Sequence, residues 1–189
     1  MTSYVKRNKL LFILIFLSFI VFIFGILFYF LLDTSYKDII DNNIDLLFQN
    51  KLIDFKSFFF NKLFSNIFIW LLGISVIGFI IVLILYLYKG FIFSFEVVSL
   101  LFNLNKNNFL MIIAYILPNL FFLCIMFVLS YYSISYSIFL FRFLFRDKKY
   151  NITDITRRYI KILLISFIIT LLCCLLEYFI LNHIGLLKL

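Results

Sequence analysis

The chain has 189 residues, 66% of them hydrophobic and 14% charged, with a mean hydropathy of +1.16. No water-soluble fold of this size has enough interior to hide that much apolar surface, so a soluble domain is excluded and lipid must surround most of the chain. The net charge of +8 lies beside apolar runs and not on a soluble basic domain, which argues against nucleic-acid binding and fits loops held on the cytoplasmic side of a membrane.

Lys6, Arg7 and Lys9 precede an uncharged run over 10–32. As a helix it measures about 35 Å, enough to cross a bilayer with modest tilt. The run outlasts the apolar core of a secretory signal and lacks a small-residue cleavage site, so it reads as a retained first span. Over 33–62, Asp33, Asp38, Asp41, Asp45 and Asp54 nearly balance Lys37, Lys51, Lys56 and Lys62. Set against the purely basic N-terminus, this near-neutral stretch places the N-terminus in the cytoplasm and the loop outside. Ile40, Ile44, Leu47, Phe48, Leu52 and Phe55 recur at helical spacing opposite Asp41 and Asp45. An amphipathic helix lying on the outer membrane face fits this pattern, and a plain connecting hairpin fits it equally well.

The second uncharged run, 63–88, ends at Lys89 and is expected to return the chain to the cytoplasm. Gly73, Ser75 and Gly78 within it are small enough to admit a neighbouring helix. The segment 90–105 is short and carries Glu96, so it reads as a tilted third span or a re-entrant element. Asn103, Asn105, Lys106, Asn107 and Asn108 mark a polar turn. The run 109–141 is too long for one straight span, and Pro118 predicts a break or kink within it. Arg142, Arg146, Lys148, Lys149, Arg157, Arg158 and Lys161 outweigh Asp147 and Asp154, making 142–161 the strongest cytoplasmic loop signal. A last span over 162–184 leaves the C-terminus outside. The expected fold is all-α: one polytopic transmembrane helical domain over 1–189, with about five spans and a re-entrant or broken element between 90 and 141 as the alternative.

Glu96 and Glu177 are the carboxylates inside apolar segments, and such groups are costly enough in lipid to be functional candidates. Glu177 is expected near the outer boundary, within reach of interfacial water. Glu96, seven residues after Lys89, is spaced to share a helix face with it, and structural pairing or helix-to-helix hydrogen bonding is favoured over transport. Ser130, Ser133, Ser135 and Ser137, with Tyr131, Tyr132 and Tyr136, form a polar ladder that could line a path but more often supplies interhelical contact. His183 reads as an interfacial side chain. Cys124, Cys173 and Cys174 read as buried small hydrophobes. There is no paired nucleophile and base, no phosphate cradle and no metal-ligand spacing, so the chain is not expected to be an enzyme or to hold a cofactor or metal.

The segment Trp70-Leu71-Leu72-Gly73-Ile74-Ser75-Val76-Ile77-Gly78, followed by Leu87-Tyr88-Lys89-Gly90 and by Ile116-Leu117-Pro118-Asn119, closely resembles the stage II sporulation protein M family. A WxLGxSxxG opening, an LxKG end to that helix and a proline-centred LP motif stand in the family's order with similar spacing. Weaker similarity in span order and loop length covers nearly the whole chain. Asn119 and Leu123 stand where some branches carry His and Glu, which resembles the sporulation-type branch, with its amide after the proline. The resemblance implies a scaffold of the bacterial plasma membrane. During engulfment it would anchor peptidoglycan-degrading partners resembling stage II sporulation proteins P and D, with no catalytic residues of its own. Two other readings stay open: a transporter or permease-like subunit built on Glu96 and Glu177, and a role in division or wall remodelling where the organism does not sporulate. Small-residue faces also leave room for homo-oligomers.

Overall fold

In hydrocarbon no water relieves an unpaired backbone group, so long uncharged runs satisfy their amides internally as helices. The computed structural model describes residues 2–37, 39, 55–102, 109–145 and 152–186. They form α1 (Thr2–Leu31), α2 (Phe55–Ile74), α3 (Gly78–Phe102), α4 (Phe109–Phe145) and α5 (Ile152–Leu186), and no strand occurs among the described residues. Four helical stretches are long and apolar enough to cross a membrane: Lys9–Leu31, Gly78–Phe102, Tyr115–Phe145 and Thr153–Phe179. Phe59–Ile74 is a shorter apolar helix in the same bundle. The protein is therefore an all-α polytopic membrane protein. The expected amphipathic segment Ile40–Phe55 falls almost entirely outside the described residues, as do the polar turn Asn103–Asn108 and the side chain of His183.

Side-chain contacts fix the helix directions. Early α2 meets late α5 at Lys62 and Glu177, and late α2 meets early α5 at Trp70 and Tyr159, so these two helices run antiparallel. α4 opposes α5 in the same way, through Asn119–Glu177 and Ser133–Tyr159. Ser18 of α1 reaches Tyr86 of α3 and Phe28 packs on Phe91, so α1 and α3 run parallel. At Gly25 an added Cβ would strike the Ser94 hydroxyl and approach the Phe91 carbonyl to 2.8 Å, which is why α1 can lie tight against α3. Ile69, Val82, Phe122, Met126 and Leu129 form the middle of the core. Phe12, Phe16, Phe19 and Phe24 on α1 and Leu164, Ile168, Leu172 and Leu176 on α5 face outward, as lipid-contacting surfaces do.

The expected division into runs 63–88 and 90–105 is displaced. The chain turns at Ser75–Ile77, not at Lys89–Gly90, and residues 78–102 form one continuous helix. The amide of Ser75 donates to the Leu72 carbonyl and that of Gly78 to the Ser75 carbonyl, closing two successive tight turns. A side chain at position 78 would run into the Leu72 carbonyl, so only glycine admits this geometry. From α4, the Ser137 hydroxyl bridges to the carbonyls of Ser75, at 2.6 Å, and Val76, at 3.2 Å, adding a second donor to the Ser75 carbonyl that also accepts from Gly78. Lys89 consequently lies within α3 and does not mark a helix boundary. Nor is α4 broken at Pro118, which is enclosed within the continuous helix Phe109–Phe145.

Candidate functional site

α2 carries Lys62, Asn66, Ile69 and Gly73 at three- and four-residue intervals, so all four point from one face. That face is turned inward: Lys62 is 8% exposed, Asn66 3% and Ile69 1%. In a mostly apolar bundle each buried polar group needs a partner, and a buried charge needs a counter-charge. Lys62 Nζ donates to Glu177 Oε2 of α5 at 2.6 Å and lies 5.3 Å from the centroid of the Phe122 ring of α4. One turn further along α2, the Asn66 amide donates to the Thr170 hydroxyl at 2.7 Å, and that hydroxyl donates to the Ser166 carbonyl.

The second carboxylate oxygen of Glu177 accepts from Asn119 Nδ2 at 3.3 Å. The other hydrogen on that nitrogen goes to the Tyr115 carbonyl at 2.9 Å. The Asn119 amide thus spans the helical turn around Pro118 and the carboxylate of α5. Tyr115 in turn points its hydroxyl at Glu96 of α3 at 3.5 Å, the outer limit of a hydrogen bond. Lys62, Lys89, Glu96, Tyr115, Asn119 and Phe122 line a cavity of about 230 Å³ between α2, α3 and α4. Two ammonium groups and two carboxylates thus meet in one region, where their charges balance.

A second polar layer lies near the α2–α3 turn. Tyr159 stacks on Trp70 with centroids 5.5 Å apart and on Tyr136 at 4.3 Å. Its hydroxyl donates to the Trp70 carbonyl at 2.7 Å and accepts from Ser133 at 2.8 Å. Gly73 faces this junction: an added Cβ would strike the Tyr159 hydroxyl and come within 2.9 Å of the Ser133 backbone.

Among the described residues, no three His, Cys, Asp or Glu side chains gather as metal ligands would. The arrangement ties four helices together through charge and hydrogen bonds, with cavity space beside the tie.

A family model described as Stage II sporulation protein M matches residues 11–180. The chain belongs to the stage II sporulation protein M family. No curated protein and no solved structure matches it. Membership makes it a sporulation-related membrane protein.

The residues that resemble the family motif occupy distinct structural positions. Trp70 and Gly73 build the Tyr159 junction, Ser75 and Gly78 form the turn after α2, and Pro118 and Asn119 aim the amide at Glu177. Lys89 and Gly90 sit inside α3; Lys89 lines the polar cavity and Gly90 lies against Val21 of α1. Glu96 reaches Tyr115, so it has a helix-to-helix partner of the kind its sequence favours. Glu177 is 1% exposed and ion-paired, which overturns its expected contact with interfacial water. Lys62, assigned by sequence to the outer loop, is a buried member of α2. Cys173 and Cys174 are buried as expected, whereas Cys124 is exposed. Of the serine ladder, Ser130, Ser133 and Ser137 are fully buried, and Ser133 and Ser137 make interhelical hydrogen bonds.

Lys62, Asn66, Tyr115, Tyr159 and Thr170 were not singled out from the sequence. One signal was present: Lys62, Asn66, Ile69 and Gly73 mark a single helix face that is too polar to meet lipid.

Proposed function

We propose that this protein is a non-enzymatic scaffold of the bacterial plasma membrane that anchors peptidoglycan-degrading partners during engulfment. Its N-terminus lies in the cytoplasm, its C-terminus and the segment between α1 and α2 lie outside, and five helices cross the bilayer. The observation that carries this reading is the tie among Lys62, Glu177 and Asn119, in which buried charge is matched between helices. Such a tie fixes a membrane platform and leaves its other surfaces to hold partners. The test is affinity purification of the tagged full-length protein from sporulating cells. Co-elution of a cell-wall hydrolase that depends on the tagged protein is expected; a preparation that never retains one would count against the scaffold.

The cavity beside the tie supports a second reading, a transporter or permease-like subunit. It brings Lys89 and Glu96 to one space at the depth of the bundle, as a path for a polar solute would. Replacing Glu96 and Glu177 together by Gln discriminates the two. Loss of sporulation despite normal membrane assembly and hydrolase capture would favour transport. Retained sporulation would favour the scaffold.

A further inference from the structure

A different cavity, of about 460 Å³, opens between α4 and α5 at the level of the α2–α3 turn. Its level is set by Tyr136, which lines it and bonds to Thr156, and by the neighbouring Ser137, which bonds to the turn itself. Arg158 and Lys161, three residues apart on α5, share one face and form its cationic side. Both are exposed, and neither is paired with a carboxylate among the described residues. Tyr132, Ser135 and Ile162 contribute ring, hydroxyl and aliphatic surface to the rest of the wall.

A cationic opening above an apolar wall, set between two membrane helices at the basic end of a bundle, matches an amphiphile with an anionic head. We infer that this cavity binds the phosphodiester headgroup of an anionic phospholipid. Arg158 and Lys161 hold the phosphate oxygens, Ser135 and Tyr132 supply neutral donors, and the start of one acyl chain lies along Ile162. Arg suits this role because its planar fork can engage two phosphate oxygens together, while Lys adds a second charge. Free inorganic phosphate shares the head chemistry but would leave the apolar wall bare, so the lipid is the occupant assigned. The inference is independent of the scaffold reading, since it concerns the opposite end of the bundle from the Lys62–Glu177 tie.

The experiment is native mass spectrometry of the full-length protein in mild detergent, titrated in turn with phosphatidylglycerol, phosphatidylcholine and inorganic phosphate. Phosphatidylglycerol should bind about tenfold or more tightly than phosphatidylcholine, since each juxtaposed cation favours an anionic lipid by roughly a factor of five. Arg158→Gln with Lys161→Gln should abolish that preference. Ser135→Trp, which fills the cavity and leaves the charge alone, should abolish it too. Arg157→Gln removes the adjacent exposed cation that does not line the cavity and should leave it intact. Equal weakening by Arg157→Gln would overturn the site in favour of general surface charge. Unchanged binding by folded Ser135→Trp, or competition by inorganic phosphate at equal concentration, would overturn it as well.

Discussion

Lys62 and Glu177 stand 115 residues apart in the chain and meet at 2.6 Å, an ion pair between α2 and α5 closed by the Asn119 amide. Removing one partner strands a charge in a low-dielectric interior, which costs about 3–5 kcal/mol, whereas replacing both by apolar groups of similar volume is far milder. Lys62→Met and Glu177→Leu should each lower the unfolding midpoint of the purified protein strongly, and the double variant should recover most of the loss. A double variant no more stable than either single one would show that the pair is not coupled.

Asn119 uses both amide hydrogens, one on the Tyr115 carbonyl and one on Glu177. Asn119→Ala should cost about 2–3 kcal/mol, because a hydrogen bond to a charged group contributes more than one to a carbonyl. Measured against Glu177→Gln in a double-mutant cycle, the two should couple. Strict additivity would mean that the amide does not act on the carboxylate.

The two motif glycines Gly73 and Gly90 should answer differently to alanine. At position 73 the new Cβ would meet the Tyr159 hydroxyl and the Ser133 backbone, and overpacking of that kind costs about 1–3 kcal/mol. At position 90 its nearest neighbour is Val21 Cγ1 at 3.9 Å, an ordinary contact, so Gly90→Ala should be neutral or stabilising by up to about 1 kcal/mol. Thermal unfolding of the two variants, side by side, checks the contrast.

With α2 and α3 joined at Ser75–Ile77, that turn and the segment after α1 should lie on opposite sides of the membrane. In a chain otherwise lacking cysteine, Thr34→Cys should react with an impermeant maleimide in intact cells and Ile77→Cys only in inside-out vesicles. Both positions are exposed. Labelling of both from the same side would overturn the five-crossing arrangement.

The helical bundle was legible in the sequence because long uncharged runs leave the backbone one way to satisfy its amides. The position of the α2–α3 turn was not, since Lys89 resembles a boundary marker while Ser75, Val76 and Ile77 look like mid-span residues. Gly78 admits the turn, and Ser137, which lies more than 60 positions away in the chain, caps its carbonyls. Glu96 and Glu177 were recognisable as costly groups. Lys62 was read as the end of a polar loop, because its counter-charge comes from another helix and helical spacing within α2 gives no hint of which one. Asn119 was visible beside Pro118, and the direction of its amide follows from α5 packing that no local pattern encodes.

The tie between α2 and α5 also bears on how the protein is made. Lys62 leaves the ribosome well before Glu177 is synthesised, so α2 must be delivered to the membrane with an uncompensated ammonium group. A charged side chain within an apolar segment disfavours insertion, less steeply near the end of a span than at its centre, and the counter-charge arrives only with α5. The charge on α2 is therefore matched only once α5 has been made and has docked against it.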